Sequence, residues 1–162
     1  MPPHPPANAD DTASQTDFVK AYAGTLAPWR LPAGVKRRVL FMDDDEDIRL
    51  LTAGMLAGLG YEYELTDRGE EVIRLYKRSL QEGPRYDAVI MDLTIKQGLG
   101  GAPTLVHLQK LDPVVCAILT SGYNSDEFEA QVTAMGFRGI LNKPYHAADL
   151  GKLLRATLDG QG

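Results

Sequence analysis

The sequence lacks the features that mark secreted and membrane proteins. Its single cysteine, Cys116, cannot form an internal disulfide, and its position in the apolar run VVCAILT predicts a buried, reduced thiol. No long hydrophobic run is present, which argues against a membrane span. The opening residues MPPHPPANADDTASQ lack a basic segment followed by an apolar one, so nothing predicts export. We therefore expect a cytoplasmic protein without a membrane partner.

Positive charge and histidine are also scarce. The formal net charge is −5, which argues against a nucleic-acid partner because phosphate binding requires clustered lysine and arginine. The one basic cluster, at residues 36–38, directly precedes a predicted strand, and we interpret it as a solvated boundary. His4, His107 and His146 have no paired acid at metal or catalytic spacing. We therefore interpret all three as ordinary surface or helix residues.

The chain is long enough for one folded domain and a tail. Its 162 residues, 44% of them hydrophobic, suit a single hydrophobic core. Residues 1–36 are rich in proline and poor in branched apolar side chains, so we predict a mostly disordered N-terminal tail. Within it, residues 17–26 have the pattern of a marginal amphipathic helix. The predicted folded domain spans residues 37–160.

Strand-like and helix-like patterns alternate five times after the tail. Apolar runs predict strands at residues 38–42, 61–65, 87–91, 114–119 and 139–141. The predicted helices cover 48–59, 69–81, 102–111, a segment that begins after an N-cap at Ser125, and 147–158. Strand 61–65 is the most polar, which is typical of a sheet edge. The alternation predicts an α/β fold, a doubly wound parallel sheet of five strands with helices on both faces.

Polar side chains follow four of these predicted strands. They form the pairs Asp43-Asp44, Thr120-Ser121 and Lys143-Pro144, together with Asp92. The carboxyl ends of parallel strands meet at one edge of a sheet, where ligands bind in such folds. The pattern therefore predicts a site with three carboxylates, a hydroxyl and an ammonium, a collection that can hold a magnesium ion and a phosphoryl group.

The sequences around these strand ends resemble the receiver domain of two-component signalling. They read VLFMDDDEDIR, YDAVIMDLTI, AILTSGY and ILNKPY, in that order. The resemblance covers about residues 37–160 and is strongest to the receivers of hybrid histidine kinases. It implies a flavodoxin-like sheet with the strand order 2-1-3-4-5.

The resemblance also implies a role for each site residue. Asp92 matches the position that takes a phosphoryl group from the phosphohistidine of a histidine kinase or a histidine phosphotransfer protein. Asp44 and Asp92 would bind Mg²⁺ through carboxylates, Thr94 through its backbone carbonyl, and Asp43 through a water. Lys143 and Thr120 would contact the phosphoryl oxygens. A cis bond between Lys143 and Pro144 would hold the ammonium inward.

Three parts of the site pattern have other interpretations. Asp45, Glu46 and Asp47 match no metal-binding position, and we interpret them as the acidic start of a helix. Ile140 stands where many receivers carry an aromatic residue that moves on activation, so an aromatic rotation cannot be the switch. Lys96 replaces a common proline and is interpreted as solvated, although its charge could affect donor or phosphate binding.

These residues predict a standalone receiver that signals through its surface to an unknown downstream protein, with no output module. It would catalyse only its own phosphorylation and a slow dephosphorylation, and is not otherwise expected to be an enzyme. Two alternatives stay open. A phosphatase of the haloacid dehalogenase type also uses an aspartate, but requires a D-x-D-x-T/V motif that is not met at residues 43–47. A receiver-like scaffold that works without phosphorylation is the other.

Overall fold

The computed structural model describes residues 36–159. The remainder of the predicted tail, including the helix predicted at residues 17–26, lies outside the described residues, as do residues 160–162. The strands are β1 Arg38–Met42, β2 Glu62–Thr66, β3 Ala88–Asp92, β4 Ala117–Ser121 and β5 Gly139–Asn142. The helices are α1 Glu46–Gly58, α2 Gly69–Glu82, α3 Gly101–Leu111, α4 Asp126–Met135 and α5 Ala147–Asp159.

The five strands form one parallel sheet in the order β2-β1-β3-β4-β5. Every pairing is parallel, and the register places Met42 beside Met91 and Asp92 beside Thr120. β2 forms one edge and is the more exposed of the two outer strands, as its polar sequence predicts. The fold class and strand order predicted from the sequence are therefore confirmed.

The sheet divides the hydrophobic core into two layers, because successive side chains of a strand point to opposite faces. In β1, Leu40 and Met42 pack in the layer beneath α2, α3 and α4. Val39 and Phe41 pack in the layer beneath α1 and α5, which also buries Leu56. β3 and β4 are buried on both faces, since helices cover each side of the central sheet.

Local capping explains where several helices begin and end. The Asp45 side chain accepts hydrogen bonds from the backbone N–H groups of Asp47 and Ile48, and it thereby caps α1. Ser125 caps α4, as predicted, by accepting from the N–H of Phe128. Gly136 ends α4 with φ +109°, a left-handed conformation that favours glycine.

Two sequence interpretations were wrong in detail. β4 begins at Ala117 rather than at residue 114, because the apolar run includes a turn in which the N–H of Val115 donates to the carbonyl of Asp112. Val114 in this turn is 72% exposed. In α1, Leu51 recurs at helical spacing with the apolar Ile48 and Met55, which predicts a buried position. It is nevertheless 65% exposed, because the buried residues of the helix are Thr52, Ala53 and Leu56.

One other expectation agrees with the structure. Cys116 is a buried free thiol. Among residues 36–159, no helix is both long and apolar enough to cross a membrane.

Candidate functional site

Strand ends bring the predicted site residues to one edge of the sheet. Asp43 directly follows β1, and its N–H donates to the carbonyl of Thr66 at 3.1 Å. Asp92 is the last residue of β3, and Thr120 lies beside it in β4. Lys143 follows β5, and its N–H donates to the carbonyl of Ser121 at 2.9 Å. The parallel ladder therefore extends to the residues that carry the site.

Three carboxylates converge at this edge. Asp43, Asp44 and Asp92 each offer one oxygen, and these oxygens lie within 4.8 Å of one another. Asp43 is fully buried, Asp92 is buried and Asp44 is partly buried. Grouped carboxylates that are shielded from water repel one another unless a cation lies between them. The donor set consists of oxygen alone, which a hard divalent cation such as Mg²⁺ prefers.

Hydrogen bonds fix two of these carboxylates. One oxygen of Asp43 accepts from the N–H of Asp45 at 2.9 Å, and its second oxygen accepts from the Lys143 ammonium at 2.9 Å. An oxygen of Asp44 accepts from the backbone N–H of Lys96 at 2.9 Å. The loop after β3 therefore helps to orient a carboxylate that follows β1.

Lys143 supplies positive charge between the acids. Its Nζ lies 2.9 Å from Asp43 and 3.2 Å from Asp92. Burial lowers the pKa of Lys143, but the hydrogen bond and charge of Asp43, together with Asp92, outweigh this effect, so the pKa is raised overall. The side chain therefore stays an ammonium. The Lys143–Pro144 bond is cis, as the resemblance implied.

The pKa of Asp92 is raised above its ordinary value. Burial is the largest cause, followed by repulsion from Asp43, while Lys143 acts in the opposite direction. The ionised form of this side chain is therefore stabilised less than it would be in water. A cation at the carboxylate cluster would reverse that penalty.

A buried hydroxyl without a partner lies next to Asp92. Among the described residues, Thr120 Oγ1 is buried and makes no hydrogen bond, although its register partner is Asp92. Buried hydroxyl groups are usually satisfied, so an orphan donor marks a place where a further acceptor fits. The neighbouring Ser121 differs, since its hydroxyl accepts from the N–H of Tyr123 at 2.9 Å.

The comparisons with known proteins agree with this geometry. Residues 39–155 match the family model of the response regulator receiver domain. The chain belongs to the response regulator receiver domain family. A response regulator receiver protein of Anaeromyxobacter sp. is 27% identical over 67% of this chain and 43% of its own length. An NtrX-like response regulator of Rickettsia bellii is 28% identical over 75% of this chain, which spans 24% of that relative.

Solved structures include close matches to the fold. Chemotaxis protein CheY4 of Vibrio cholerae is 25% identical and superposes with a TM-score of 0.66, over 76% of this chain and 100% of that one. The receiver domain of sensor histidine kinase PA1611 from Pseudomonas aeruginosa is 22% identical, with a TM-score of 0.67 over 77% of this chain and 99% of that one. That structure has a magnesium ion coordinated in its active-site cleft.

Three residues near the carboxylate cluster have surroundings that define their roles. Asp45 is occupied by the N–H groups at the start of α1, at 2.9 and 3.3 Å. Asp45 would be the second aspartate of the D-x-D motif in a haloacid dehalogenase. Its side chain caps a helix instead, which disagrees with such a site. Thr94 is exposed two residues beyond β3, and its carbonyl stays a predicted metal ligand. Lys96 is also exposed, and its backbone rather than its ammonium contacts Asp44.

Sequence reasoning missed two features around the site. The Tyr145 hydroxyl lies 2.7 Å from that of Thr52, which ties the segment after Lys143 to α1. An apolar groove of about 310 Å³ lies beside this contact, lined by Ile48, Leu51, Thr52, Met55, Lys143, Pro144 and Tyr145. The second feature is a contact of Glu70 with the loop after β3. Neither pair has a sequence signal, because its members are far apart in the chain.

Proposed function

We propose that this receiver accepts a phosphoryl group on Asp92 from the phosphohistidine of a histidine kinase or a histidine phosphotransfer protein. The observation that supports this most strongly is the buried, unpartnered hydroxyl of Thr120, whose register partner Asp92 lies 3.2 Å from the Lys143 ammonium. A phosphoryl group on Asp92 would give the Thr120 hydroxyl an acceptor and Lys143 an anionic partner. The orphan donor therefore supports a site in which a further acceptor binds beside Asp92.

Mg²⁺ is the cofactor that fits the carboxylate cluster. Asp44 and Asp92 would bind it through their carboxylates, Thr94 through its carbonyl and Asp43 through a water. When bound, Mg²⁺ neutralises the anionic oxygens that approach one another during phosphoryl transfer. The backbone N–H of Lys96 and the N–H of Asp45 hold Asp44 and Asp43 in place for this role.

The covalent step uses a carboxylate oxygen of Asp92 as the nucleophile. A new O–P bond forms as the N–P bond of the donor imidazole breaks, and the electron pair of that bond stays on the nitrogen. The flexible side chain of Lys143 would bring its ammonium to the oxygens of the transferred phosphoryl group. The Thr120 hydroxyl would donate a hydrogen bond to one of these oxygens. The receiver thus catalyses its own phosphorylation, and it catalyses hydrolysis of the acyl phosphate only slowly.

Two surfaces beside the site suit protein partners. The groove between α1 and the segment after β5 opens next to Lys143, so a donor bound there could place its imidazole near Asp92. A second groove of about 440 Å³ lies between β5 and α5 and is lined in part by Ile140, Leu153 and Ala156. We assign this second surface, together with α4, to the downstream protein. The absence of an attached output module stays a prediction from the sequence.

A phosphate-affinity gel tests the proposal. The wild type, treated with acetyl phosphate and Mg²⁺, should give a retarded band that Asp92→Asn abolishes. Asp45→Asn is the matched control, since Asp45 belongs to the same acidic run but caps α1. Asp44→Asn should weaken the Mg²⁺ response. Labelling that survives Asp92→Asn but disappears in Asp44→Asn would overturn the assignment, and a folded wild type that is never labelled would favour the scaffold.

A further inference from the structure

The loop between β3 and α3, residues 93–100, is fastened to the start of α2 by two opposed hydrogen bonds. The N–H of Leu99 donates to a carboxylate oxygen of Glu70 at 2.8 Å. The N–H of Gly69 donates to the carbonyl of Leu99 at 2.9 Å. The pair closes a contact between segments that are about thirty residues apart in the chain, and we call it the Glu70 clamp.

Close packing leaves the clamp little freedom. A Cβ on Gly69 would lie 2.7 Å from the carbonyl oxygen of Leu99 and would also clash with Thr104. Gly98 has φ +97°, and a Cβ there would lie 2.7 Å from a Glu70 oxygen. Both glycines are therefore required for the loop to approach α2 this closely.

The same loop contacts the metal site at its other end. The N–H of Lys96 donates to Asp44 at 2.9 Å, three residues before the clamp. A proline at position 96 would have no N–H to donate, so this bond depends on the residue present here. The loop thus links the Glu70 carboxylate to the Asp44 carboxylate through a short stretch of backbone.

The Glu70 carboxylate is held in its charged form by the loop after β3, and not only by the start of its own helix. The hydrogen bond from Leu99 is the main cause of its lowered pKa, so the carboxylate form is favoured. Glu71, the other acid in the first turn of α2, instead pairs with Arg74 on its own helix. Either acid would complement the helix dipole, but Glu70 alone of the two contacts the loop.

We propose that Glu70 is a positioning residue for the metal site, because it anchors the loop whose Lys96 N–H orients Asp44. This inference rests on the proposed function, in which Asp44 is a ligand of Mg²⁺. Loss of the clamp would let residues 96–99 move, and Asp44 would lose its oriented hydrogen-bond donor. Outer partners of metal ligands commonly tune metal affinity in this way.

The test measures Mg²⁺ affinity by NMR titration in Glu70→Ala, Glu70→Gln and the matched control Glu71→Ala. We expect Glu70→Ala to raise the Mg²⁺ dissociation constant about 3- to 10-fold, less than the loss of a direct partner of a ligand. The amide signals of Leu99 and Lys96 should shift in the same variant. Glu70→Gln retains an acceptor oxygen and should restore most of the affinity, while Glu71→Ala should match the wild type.

Labelling rates at two Mg²⁺ concentrations distinguish a failure of the positioning role of Glu70 from a failure of the metal site itself. At low Mg²⁺ the labelling of Glu70→Ala by acetyl phosphate should be slow, and saturating Mg²⁺ should restore the rate. Gly98→Ala disturbs the Glu70 clamp from the loop side and should show the same slow labelling at low Mg²⁺. This variant replaces Glu70→Ala in the test if Glu70→Ala does not fold. Equal affinities in Glu70→Ala and Glu71→Ala would overturn the positioning role. A wild type that binds no Mg²⁺ would overturn the metal site itself, and the inference with it.

Discussion

Lys143 and Asp43 form an ion pair of 2.9 Å in which the Asp43 side chain is 1% exposed. Pairing with a buried carboxylate normally stabilises both charges. Here the same carboxylate belongs to the cluster that we assign to Mg²⁺, so the lysine and the metal ion depend on the same acids. In the proposed function, the ammonium would therefore oppose metal binding and would also be the cation that a phosphoryl group on Asp92 contacts.

Replacing Lys143 with methionine should separate these two effects. The change keeps an unbranched side chain of similar length but removes its charge, so we expect Mg²⁺ to bind about tenfold more tightly because a nearby like charge is gone. Labelling by acetyl phosphate should slow despite the tighter metal. Calorimetry and the phosphate-affinity gel measure the two quantities. Lys110→Met, on the exposed side of α3, is the control; weaker Mg²⁺ binding in Lys143→Met would contradict the prediction.

The second prediction concerns the exposed surface of α1. Gly54 and Gly58 are exposed, and a Cβ at either would meet nothing within 4 Å, so alanine fits both positions. Each change should raise stability by about 1 kcal/mol, since glycine is a poor helix former. If the donor protein docks closely on this smooth surface, the double variant should accept phosphate more slowly from a kinase. Labelling by acetyl phosphate is the internal control, and equal effects on both donors would leave the glycines as tolerated residues.

The lifetime of the phosphorylated form should be long. Hydrolysis requires a water in line with the phosphorus, and a polar side chain can hold it there. Gly122 has no side chain, and its surroundings are open within 4 Å. Gly122 stands two residues after Thr120, and the exposed Thr94 stands two residues after Asp92. The short side chain of Thr94 is poorly suited to hold a water molecule. Thr94→Asn combined with Gly122→Glu should therefore speed the decay of phospho-Asp92, measured at fixed Mg²⁺ and pH.

Thr133→Asn, on the exposed side of α4, is the control for that comparison. Decay in the double variant that is no faster than in the wild type would show that these two positions do not set the lifetime.

Alkaline stability should depend on Tyr86. Burial, with Glu64 as the next cause, raises the pKa of Tyr86 from 10.0 to about 12. A phenol with a raised pKa in the folded state stabilises the fold below pH 10, and this contribution is lost as the pH rises toward about 12. We estimate the loss at roughly 1–2 kcal/mol after allowance for solvent screening.

Urea unfolding of Tyr86→Phe at pH 8 and pH 11 measures this effect. The variant should lose the hydrogen bond to Glu64, worth about 1 kcal/mol, at the lower pH, but should show a smaller decline between the two pH values. Tyr123→Phe is the matched control because Tyr123 is 66% exposed. Equal declines in Tyr86→Phe and in the wild type would contradict the prediction.

The sequence predicted a parallel sheet because its central strands are buried on both faces and therefore appear as unbroken apolar runs, whereas the strand order came from the family resemblance. Such runs do not show where a strand begins. The apolar run from Val114 into β4 therefore predicts a strand that is longer than the one in the structure. The spacing of large apolar residues in α1 likewise does not identify the buried face of the helix, because the helix packs through the small residues Thr52 and Ala53. Small side chains give a weak hydrophobic signal although they are buried.

The candidate site was predictable to the extent that its residues stand at strand ends. Parallel pairing places Asp43, Asp92 and Lys143 at the same edge of the sheet, and the strand order then brings them into contact. The Glu70 clamp and the Thr52–Tyr145 contact were not predictable, because they depend on how loops pack between helices. Such contacts require the tertiary fold itself.

The orphan hydroxyl of Thr120 has an energetic consequence for the resting domain. A buried donor without an acceptor costs about 1–3 kcal/mol, and this cost is carried for as long as Asp92 is unmodified. Supplying an acceptor would remove this cost, so a group that accepts from the Thr120 hydroxyl gains affinity from the hydrogen bond that the resting domain lacks. The midpoint temperature of unfolding should therefore rise when a phosphoryl mimic binds beside Thr120.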